Sequence, residues 1–268
     1  MMNRILYFFI YSFLGWICEC IFCSIPAKKI INRGFLLGPY CPIYGFGALL
    51  VIHFLTPFTN HPILLYITGV IVTSILEYFT SWLMEKLFDT KWWDYSTYPF
   101  NINGRVCLRN SLLFGVMVLF VYYIVHPKIV HFVLGIPHML RIGIALILIA
   151  FILYDLYHTT MALLRKNKDF VEIESSIKEL RKEFKEANIF PLDEPLSQSI
   201  QRVLDNTNAD EILVAHIIRI HTMMNEANAQ RKGTHDRLRK AFPNKIENPT
   251  RVKIIDIYQA MHDHFHQK

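Results

Sequence analysis

Charged residues are scarce in the first part of this 268-residue sequence. Residues 1–164 contain ten Lys or Arg and six Asp or Glu, whereas residues 165–268 contain eighteen and sixteen. Soluble domains carry about 25% charged residues, so the composition of residues 1–164 excludes an ordinary soluble domain. The chain is 53% hydrophobic, with a mean hydropathy of +0.27, and this apolar surplus lies almost entirely before residue 165.

Several motifs of enzymes and metal sites are also missing. The sequence has no GxxxxGK[ST] loop, which excludes a P-loop ATPase. It has no GxSxG, HExxH or paired CxxC motif either, so enzymatic activity is not indicated and no cofactor is predicted. Cys18, Cys20 and Cys23 have a metal-like spacing, but Cys18 and Cys20 would point to opposite sides of a helix, so no metal site is predicted. The net charge of +6 is divided into +4 for residues 1–164 and +2 for residues 165–268, and this small excess gives no indication of nucleic-acid binding.

Five apolar runs are the main positive feature. A helix needs about 20 apolar residues to cross a bilayer, and the second run is the weakest of the five. We predict an all-α polytopic membrane protein with about five transmembrane helices in residues 1–164 and a cytosolic helical appendage in residues 165–268. The predicted spans are 5–25, 40–56, 63–84, 112–125 and 142–164.

The distribution of Lys and Arg among the connections predicts the orientation. With the N-terminus outside, the inner connections and the start of the appendage contain ten basic residues, whereas the outer side contains three. Because positive residues accumulate on the cytosolic side, we expect a plasma-membrane protein with its N-terminus outside and its C-terminus in the cytosol.

The appendage shows helical periodicity and no further chemistry. Apolar residues recur at helical spacing from Phe170 to Phe184, and the prolines of 191–195 are expected to end that helix. Further helices are predicted at 196–205, 209–230, 231–242 and 249–265. This region would have its own core and could bind a cytosolic protein partner. Its histidines are interpreted as solvated side chains: His216, His221, His235, His262, His264 and His266.

Glycine and proline are concentrated just before the second span. This density breaks helices, and broken backbone at membrane depth is tolerated only against protein or water. A re-entrant or kinked element that serves as part of a gate is therefore predicted, with simple turn residues before a short span as the alternative. The residues concerned are Gly38, Pro39, Pro42, Tyr44 and Gly45.

An aromatic and polar segment, Lys91 to Arg109, follows the third span and is called the interfacial segment below. Its aromatic residues, including Trp93 and Tyr95, are of the types that settle at the level of lipid headgroups. We expect this segment to lie on one membrane face and to form, with residues 32–45, a lid over a polar pocket.

Polar residues at that same face form the candidate substrate-binding or pathway set. Ionisable residues within or beside spans are costly, so they indicate a functional site unless they serve as a structural ion-pair network. The set comprises Glu19, Arg33, Glu77, Glu85, Asp94, Asn101, Arg105 and Arg109. Asp155 and His158, one turn apart near the end of the fifth span, are expected to cap the helix or to pair with each other.

Long strings in this part of the chain resemble a known family. NRGFLLGPYCPIYG at residues 32–45, the string of residues 76–115, and Gly15, Trp16 and Glu19 of the first span resemble the bacterial membrane family labelled putative ABC-transporter type IV. The resemblance covers about residues 5–164. It implies location in the lipid bilayer and a role in transport. Because this chain has no nucleotide motif, transport would need a separate ATPase subunit as partner or an ion gradient.

Three functions are consistent with these patterns. The first is a permease-type protein that handles a small or amphiphilic solute through a cytosol-facing polar site. The second is a membrane-embedded enzyme acting on a lipid of the cytosolic leaflet, with Glu77 or Asp94 as base and Arg105 holding a phosphate. The third is a non-catalytic sensor or assembly protein whose cytosolic helices bind a partner.

Overall fold

The computed structural model describes residues 2–186, 195–206, 210–230, 234–242, 246–247 and 249–266. These residues are overwhelmingly helical, which confirms the predicted all-α class. The chain forms two compact units, the first comprising Met1–Met161 and Arg237–Ile246, the second Ala162–Asp236 and Glu247–Lys268. The first division lies three residues before the expected boundary at 164, and the assignment of 237–246 to the first unit was not expected from the sequence.

The elements follow one another with short connections. The first part of the chain contains α1 (Met2–Ala27), α2 (Pro42–Phe54), a 3-10 turn (Thr56–Phe58), α3 (Pro62–Phe88), β1 (Thr90–Lys91), β2 (Asn101–Ile102), β3 (Val106–Cys107), α4 (Leu108–Phe120), a π-helical turn (Val121–Val125), α5 (His126–Gly135) and α6 (His138–Glu186). The remainder contains α7 (Leu196–Asp205), α8 (Glu211–Gln230), α9 (Thr234–Ala241), β4 (Ile246–Glu247) and α10 (Pro249–His266).

In the part of the chain that the structure describes, four helical segments are long and apolar enough to cross a membrane: Met2–Ala27, Pro62–Phe88, Leu108–Gly135 and His138–Glu186. The second predicted span corresponds to α2, which is apolar but only 13 residues long. Large apolar side chains remain exposed on these helices, among them Ile63, Phe132 and Phe151. Such a surface suits lipid contact, because hydrocarbon rather than water surrounds it.

The fourth span is longer than predicted, running over residues 108–135 instead of 112–125. The predicted span ends at Val125, where the apolar run is followed by His126 and Pro127, and a proline inside a helix removes a hydrogen bond and clashes with the preceding turn. In the structure a π-helical turn at Val121–Val125 comes just before that proline. Widened turns of this kind accompany irregularities in the hydrogen-bond ladder, so the helical path continues past the proline.

Close packing between α1 and α2 and between α3 and α4 builds the first unit. A Cβ at Gly45 would collide with the Ser12 hydroxyl, and a Cβ at Gly115 would collide with Val70. Small residues at these crossings allow the helix backbones to approach each other, as is common in membrane proteins. A core of Leu6, Tyr7, Tyr11, Ile129, Val133 and Ala145 joins α1, α5 and α6.

The second unit has its own hydrophobic core. The residues expected at helical spacing are all buried: Phe170, Ile173, Ile177, Leu180 and Phe184. They pack with side chains of α7, α8 and α10, including Ile200, Ile217 and Met261. The predicted break at 191–194, the residue at 209 and residues 231–233 lie outside the described residues.

The histidines of this unit differ from the prediction of solvated side chains. His221 is buried and stacks on Phe265 with ring centroids 4.7 Å apart. His216 Nδ1 lies 2.8 Å from a Glu183 carboxylate oxygen, and His264 Nδ1 lies 3.2 Å from Asp205. These rings are therefore packing and pairing elements of the helical core. The side chains of His235 and His266 lie outside the described residues.

Candidate functional site

The first carboxylate of the candidate set, Glu19 of α1, has partners from two other segments of the first unit. Its Oε1 accepts a 2.7 Å hydrogen bond from the Tyr44 hydroxyl, and its Oε2 lies 3.7 Å from Nε of Arg33. Gly15 makes this arrangement possible, because a Cβ there would overlap the Tyr44 ring. The glycine of α1 therefore admits the tyrosine of α2, and the tyrosine reaches the glutamate one turn further along α1.

Glu77 lies about three turns before the end of α3 and is 6% exposed. Its Oε1 accepts a hydrogen bond of 3.2 Å from the Tyr95 hydroxyl. Its Oε2 is buried and has no hydrogen-bond partner among the described residues. One oxygen of a buried carboxylate is therefore left unsatisfied, which is a costly arrangement.

The charges of both glutamates affect the pKa of the same tyrosine, Tyr95. Burial raises the pKa of the Tyr95 hydroxyl well above its ordinary value, and the nearby charges of Glu77 and Glu19 raise this pKa further. We call Glu19, Tyr44, Glu77 and Tyr95 the two-glutamate cluster. It joins one residue each from α1, α2, α3 and the interfacial segment.

A tight hairpin in the interfacial segment positions Tyr95. Asn103 and Gly104 both have positive φ, 53° and 69°, and the amide of Arg105 donates to the carbonyl of Ile102 at 3.0 Å. The Asn-Gly pair supplies the tight turn, because both residues adopt positive φ easily, and residues 103–105 connect the antiparallel strands β2 and β3. The Tyr95 amide donates to the Gly104 carbonyl at 2.7 Å, which fixes the tyrosine on the hairpin.

Three other predicted residues of the interfacial segment have partners within the segment itself. Asp94 accepts a 2.7 Å hydrogen bond from the Ser96 hydroxyl, and the Asn101 side-chain amide donates to the Tyr98 carbonyl at 2.8 Å. Trp93 Nε1 donates to the backbone carbonyl of Arg105 at 3.0 Å. These contacts hold the shape of the segment.

Glu85 and Arg105 form a separate ion pair, with Arg105 donating to the carboxylate at 2.6 Å. The Arg105 guanidinium also lies 5.4 Å from the ring centre of Tyr78, and the Arg109 guanidinium lies 5.9 Å from that of Tyr98. A pocket of about 490 Å³ surrounds the ion pair and is lined by Tyr78, Trp82, Glu85, Lys86, Asp89 and Arg105.

Of the predicted gate residues, Pro42, Tyr44 and Gly45 lie in α2, whereas Gly38 and Pro39 lie in the first loop, the stretch 28–41 without helix or strand that connects α1 to α2. Asp155 holds its second half, a role that sequence reasoning missed. The carboxylate accepts hydrogen bonds from the amides of Leu37 (2.9 Å) and Gly38 (2.8 Å) and from the hydroxyls of Tyr40 (2.6 Å) and Thr159 (3.0 Å).

The expected pairing of Asp155 with His158 is therefore wrong. His158 lies beside the ring of Tyr154, with centroids 6.0 Å apart, whereas the carboxylate accepts three hydrogen bonds from the loop and one from Thr159. A signal was present in the sequence, because an aspartate within a span needs donors and a broken backbone offers free amides.

Arg237 holds the first half of the same loop and was also missed. Its guanidinium donates to the carbonyls of Gly34 (2.7 Å), Phe35 (2.8 Å) and Leu36 (2.8 Å). No local pattern distinguishes this arginine from its basic neighbours in α9. Gly38 packs against the Tyr40 ring, and Pro39 lines an apolar groove of about 700 Å³. The groove is lined by Phe9, Ile10, Phe13, Leu37, Gly38, Pro39, Tyr40, Leu148, Phe151, Tyr154 and Asp155.

The family model described as putative ABC-transporter type IV matches residues 6–160, which is more than half of the chain. The chain belongs to this family. As a member of the type IV family it is a membrane protein of transporter type. No curated protein and no solved structure matches the chain. The two-glutamate cluster and Asp155 lie within the part that matches the type IV family, whereas Arg237 lies outside it.

Proposed function

We propose that this transporter-type protein is a permease-like subunit that handles a small or amphiphilic solute at the two-glutamate cluster. The unsatisfied Oε2 of Glu77 carries the proposal. A charged side chain near the centre of a span costs about 2.5–3.5 kcal/mol even on the scale that gives the lowest values, so an ionisable residue at this depth indicates a functional role. Glu19 and Glu77 would accept a proton or the cationic group of a solute, with Arg33 as the competing partner of Glu19.

The same unit provides an internal comparison for this interpretation. Asp155 is also buried, at 4% exposure, but its two oxygens receive four hydrogen bonds. That carboxylate has the full set of donors expected of a structural group. Glu77 has one donor and one free oxygen. The difference in the number of hydrogen bonds that the two carboxylates accept supports a ligand-binding role for Glu77 and a structural role for Asp155.

The energy source and the sidedness complete the proposal. The sequence has no nucleotide-binding motif, so a separate ATPase subunit or an ion gradient would drive transport. The bias of basic residues supports a plasma-membrane protein with its N-terminus outside and with the cluster facing the cytosol. Glu85 and Arg105 neutralise each other and would belong to the rim of the pathway.

Complementation of cells that lack this chain tests the proposal. Wild type, Glu77→Gln and Glu19→Gln would be expressed, and intracellular small-molecule and lipid pools would be compared by mass spectrometry. Membrane insertion of each variant would be measured in parallel. We expect Glu77→Gln to insert normally and to lose at least about tenfold of the energy-dependent accumulation, since it removes a group that binds the solute.

Glu179→Gln is the matched control, because Glu179 is exposed in α6, and it should behave as wild type. Full accumulation in both Glu19→Gln and Glu77→Gln would refute the proposal. Co-purification in mild detergent adds a second readout, in which an ATPase subunit supports transport, whereas a lipid change without energy dependence points to the enzyme hypothesis.

A further inference from the structure

A short segment from the C-terminal part of the chain lies against the first loop, residues 28–41, and against Trp92 of the interfacial segment. Residues 237–242, here called the strap, lie within the stretch Arg237–Ile246, which belongs to the first unit, although Ala162–Asp236 and Glu247–Lys268 belong to the second unit. Three of its side chains are buried, with Leu238 and Ala241 at 1% exposure and Phe242 at 8%. The strap is therefore an integral part of the first unit.

Arginine side chains that donate to backbone carbonyls connect the strap and the first loop. Arg237 donates to three successive carbonyls of that loop, at Gly34, Phe35 and Leu36. In the opposite direction, Arg33 donates to the carbonyl of Ala241 at 2.7 Å. Burial lowers the pKa of Arg237, and the negative charge of Asp155 acts in the opposite direction. A desolvated guanidinium makes strong hydrogen bonds, so this attachment is specific.

Phe242 contacts Arg33 of the first loop and Trp92 of the interfacial segment. Its ring centre lies 4.5 Å from the guanidinium carbon of Arg33 and 5.1 Å from the ring centre of Trp92, which is edge-on. The strap thus has three contacts with Arg33 or its loop: the carbonyl of Ala241, the ring of Phe242 and the fork of Arg237. Arg33 is also the ion-pair partner of Glu19.

We propose that the strap is an internal lock, which holds Arg33 and its loop over the two-glutamate cluster and opens the cluster to the cytosol when it is displaced. The inference rests on the proposed function only in taking the cluster as the solute site. In the sequence, Arg237–Ile246 lies between the two stretches of the second unit, so a protein partner that binds residues 162–236 or 247–268 would pull on the strap and open the lock.

Native thiols beside Arg33 report on this lock without any solute. Cys20 Sγ accepts a 3.3 Å hydrogen bond from the Arg33 amide, and Cys23 Sγ lies 3.8 Å from a Glu19 oxygen. The full-length protein in mild detergent would be treated with N-ethylmaleimide, and labelling of each cysteine would be followed by mass spectrometry. We expect Arg237→Gln to accelerate labelling of Cys20 and Cys23 by about tenfold or more, since three charge-assisted hydrogen bonds are lost.

Arg239→Gln is the matched control, because Arg239 is an exposed arginine of the same helix, and it should leave the rates unchanged. Labelling of the buried Cys107 identifies a variant that has unfolded. Phe242→Ala is the second variant, since it removes the ring contacts and leaves the Arg237 fork in place. Unchanged rates in folded Arg237→Gln and Phe242→Ala would overturn the lock. The uptake test of Glu77→Gln is a separate readout, so either proposal can fail alone.

Discussion

Replacement of Asp155 by asparagine should destabilise the first unit strongly. The carboxylate accepts two hydrogen bonds on each oxygen, from Leu37 and Thr159 on one and from Gly38 and Tyr40 on the other. Asparagine keeps one oxygen and turns the other into an amino group that cannot accept, so two donors lose their partner. Hydrogen bonds to a charged group contribute about 1.5–3 kcal/mol each, which gives a gross loss of about 3–6 kcal/mol.

Removal of the charge also removes the cost of burying it, so the net loss should lie near the lower end, at about 3 kcal/mol. For a protein of this size 1 kcal/mol shifts the midpoint of thermal unfolding by about 2–4 °C, so Asp155→Asn should lower it by about 6–12 °C. Thermal unfolding of the purified protein in mild detergent measures this shift. Tyr40→Phe removes one donor and leaves the charge, so its shift should be smaller.

The control is Asp256→Asn, the same chemical change at an exposed position of α10, which should alter the midpoint by less than about 2 °C. A midpoint for Asp155→Asn within that same margin of wild type would refute the reasoning. So would a larger loss in Tyr40→Phe than in Asp155→Asn, because the hydroxyl is only one of the four donors.

Two further predictions concern accessibility and orientation. The Cys41 thiol is free and buried, at 8% exposure, so this cysteine should resist iodoacetamide until the protein is denatured in SDS, and rapid labelling of the native protein would contradict the structure. A reporter active only in the cytosol should be active when fused to the C-terminus and inactive when fused to the N-terminus, and the reverse result would refute the predicted orientation.

The sequence predicts the helices of this protein better than their contacts. Apolar runs and helical spacing depend on neighbouring residues, so the spans and the buried stripe from Phe170 to Phe184 could be identified directly. The π-helical turn before Pro127 could not, because proline usually ends a helix and the local pattern gives no sign of the exception.

The candidate site shows the same limit. Glu19 and Glu77 could be recognised, because ionisable residues within apolar runs are conspicuous in a single sequence. The sequence places Tyr44 only among the gate residues, because its hydrogen bond to Glu19 depends on the close approach of two helices at Gly15. Arg237 acts on a carbonyl 203 positions away, and no local pattern encodes so distant a contact.

The loop between Gly34 and Gly38 is held by its main chain. Three carbonyls bind the Arg237 guanidinium, and two amides bind the Asp155 carboxylate. Such a loop should tolerate substitutions but not insertions or deletions. An exchange at the half-exposed Leu37 leaves all five bonds available, whereas deletion of one residue displaces several of them at once. Libraries built on this protein should therefore vary the loop by substitution and keep its residue count constant.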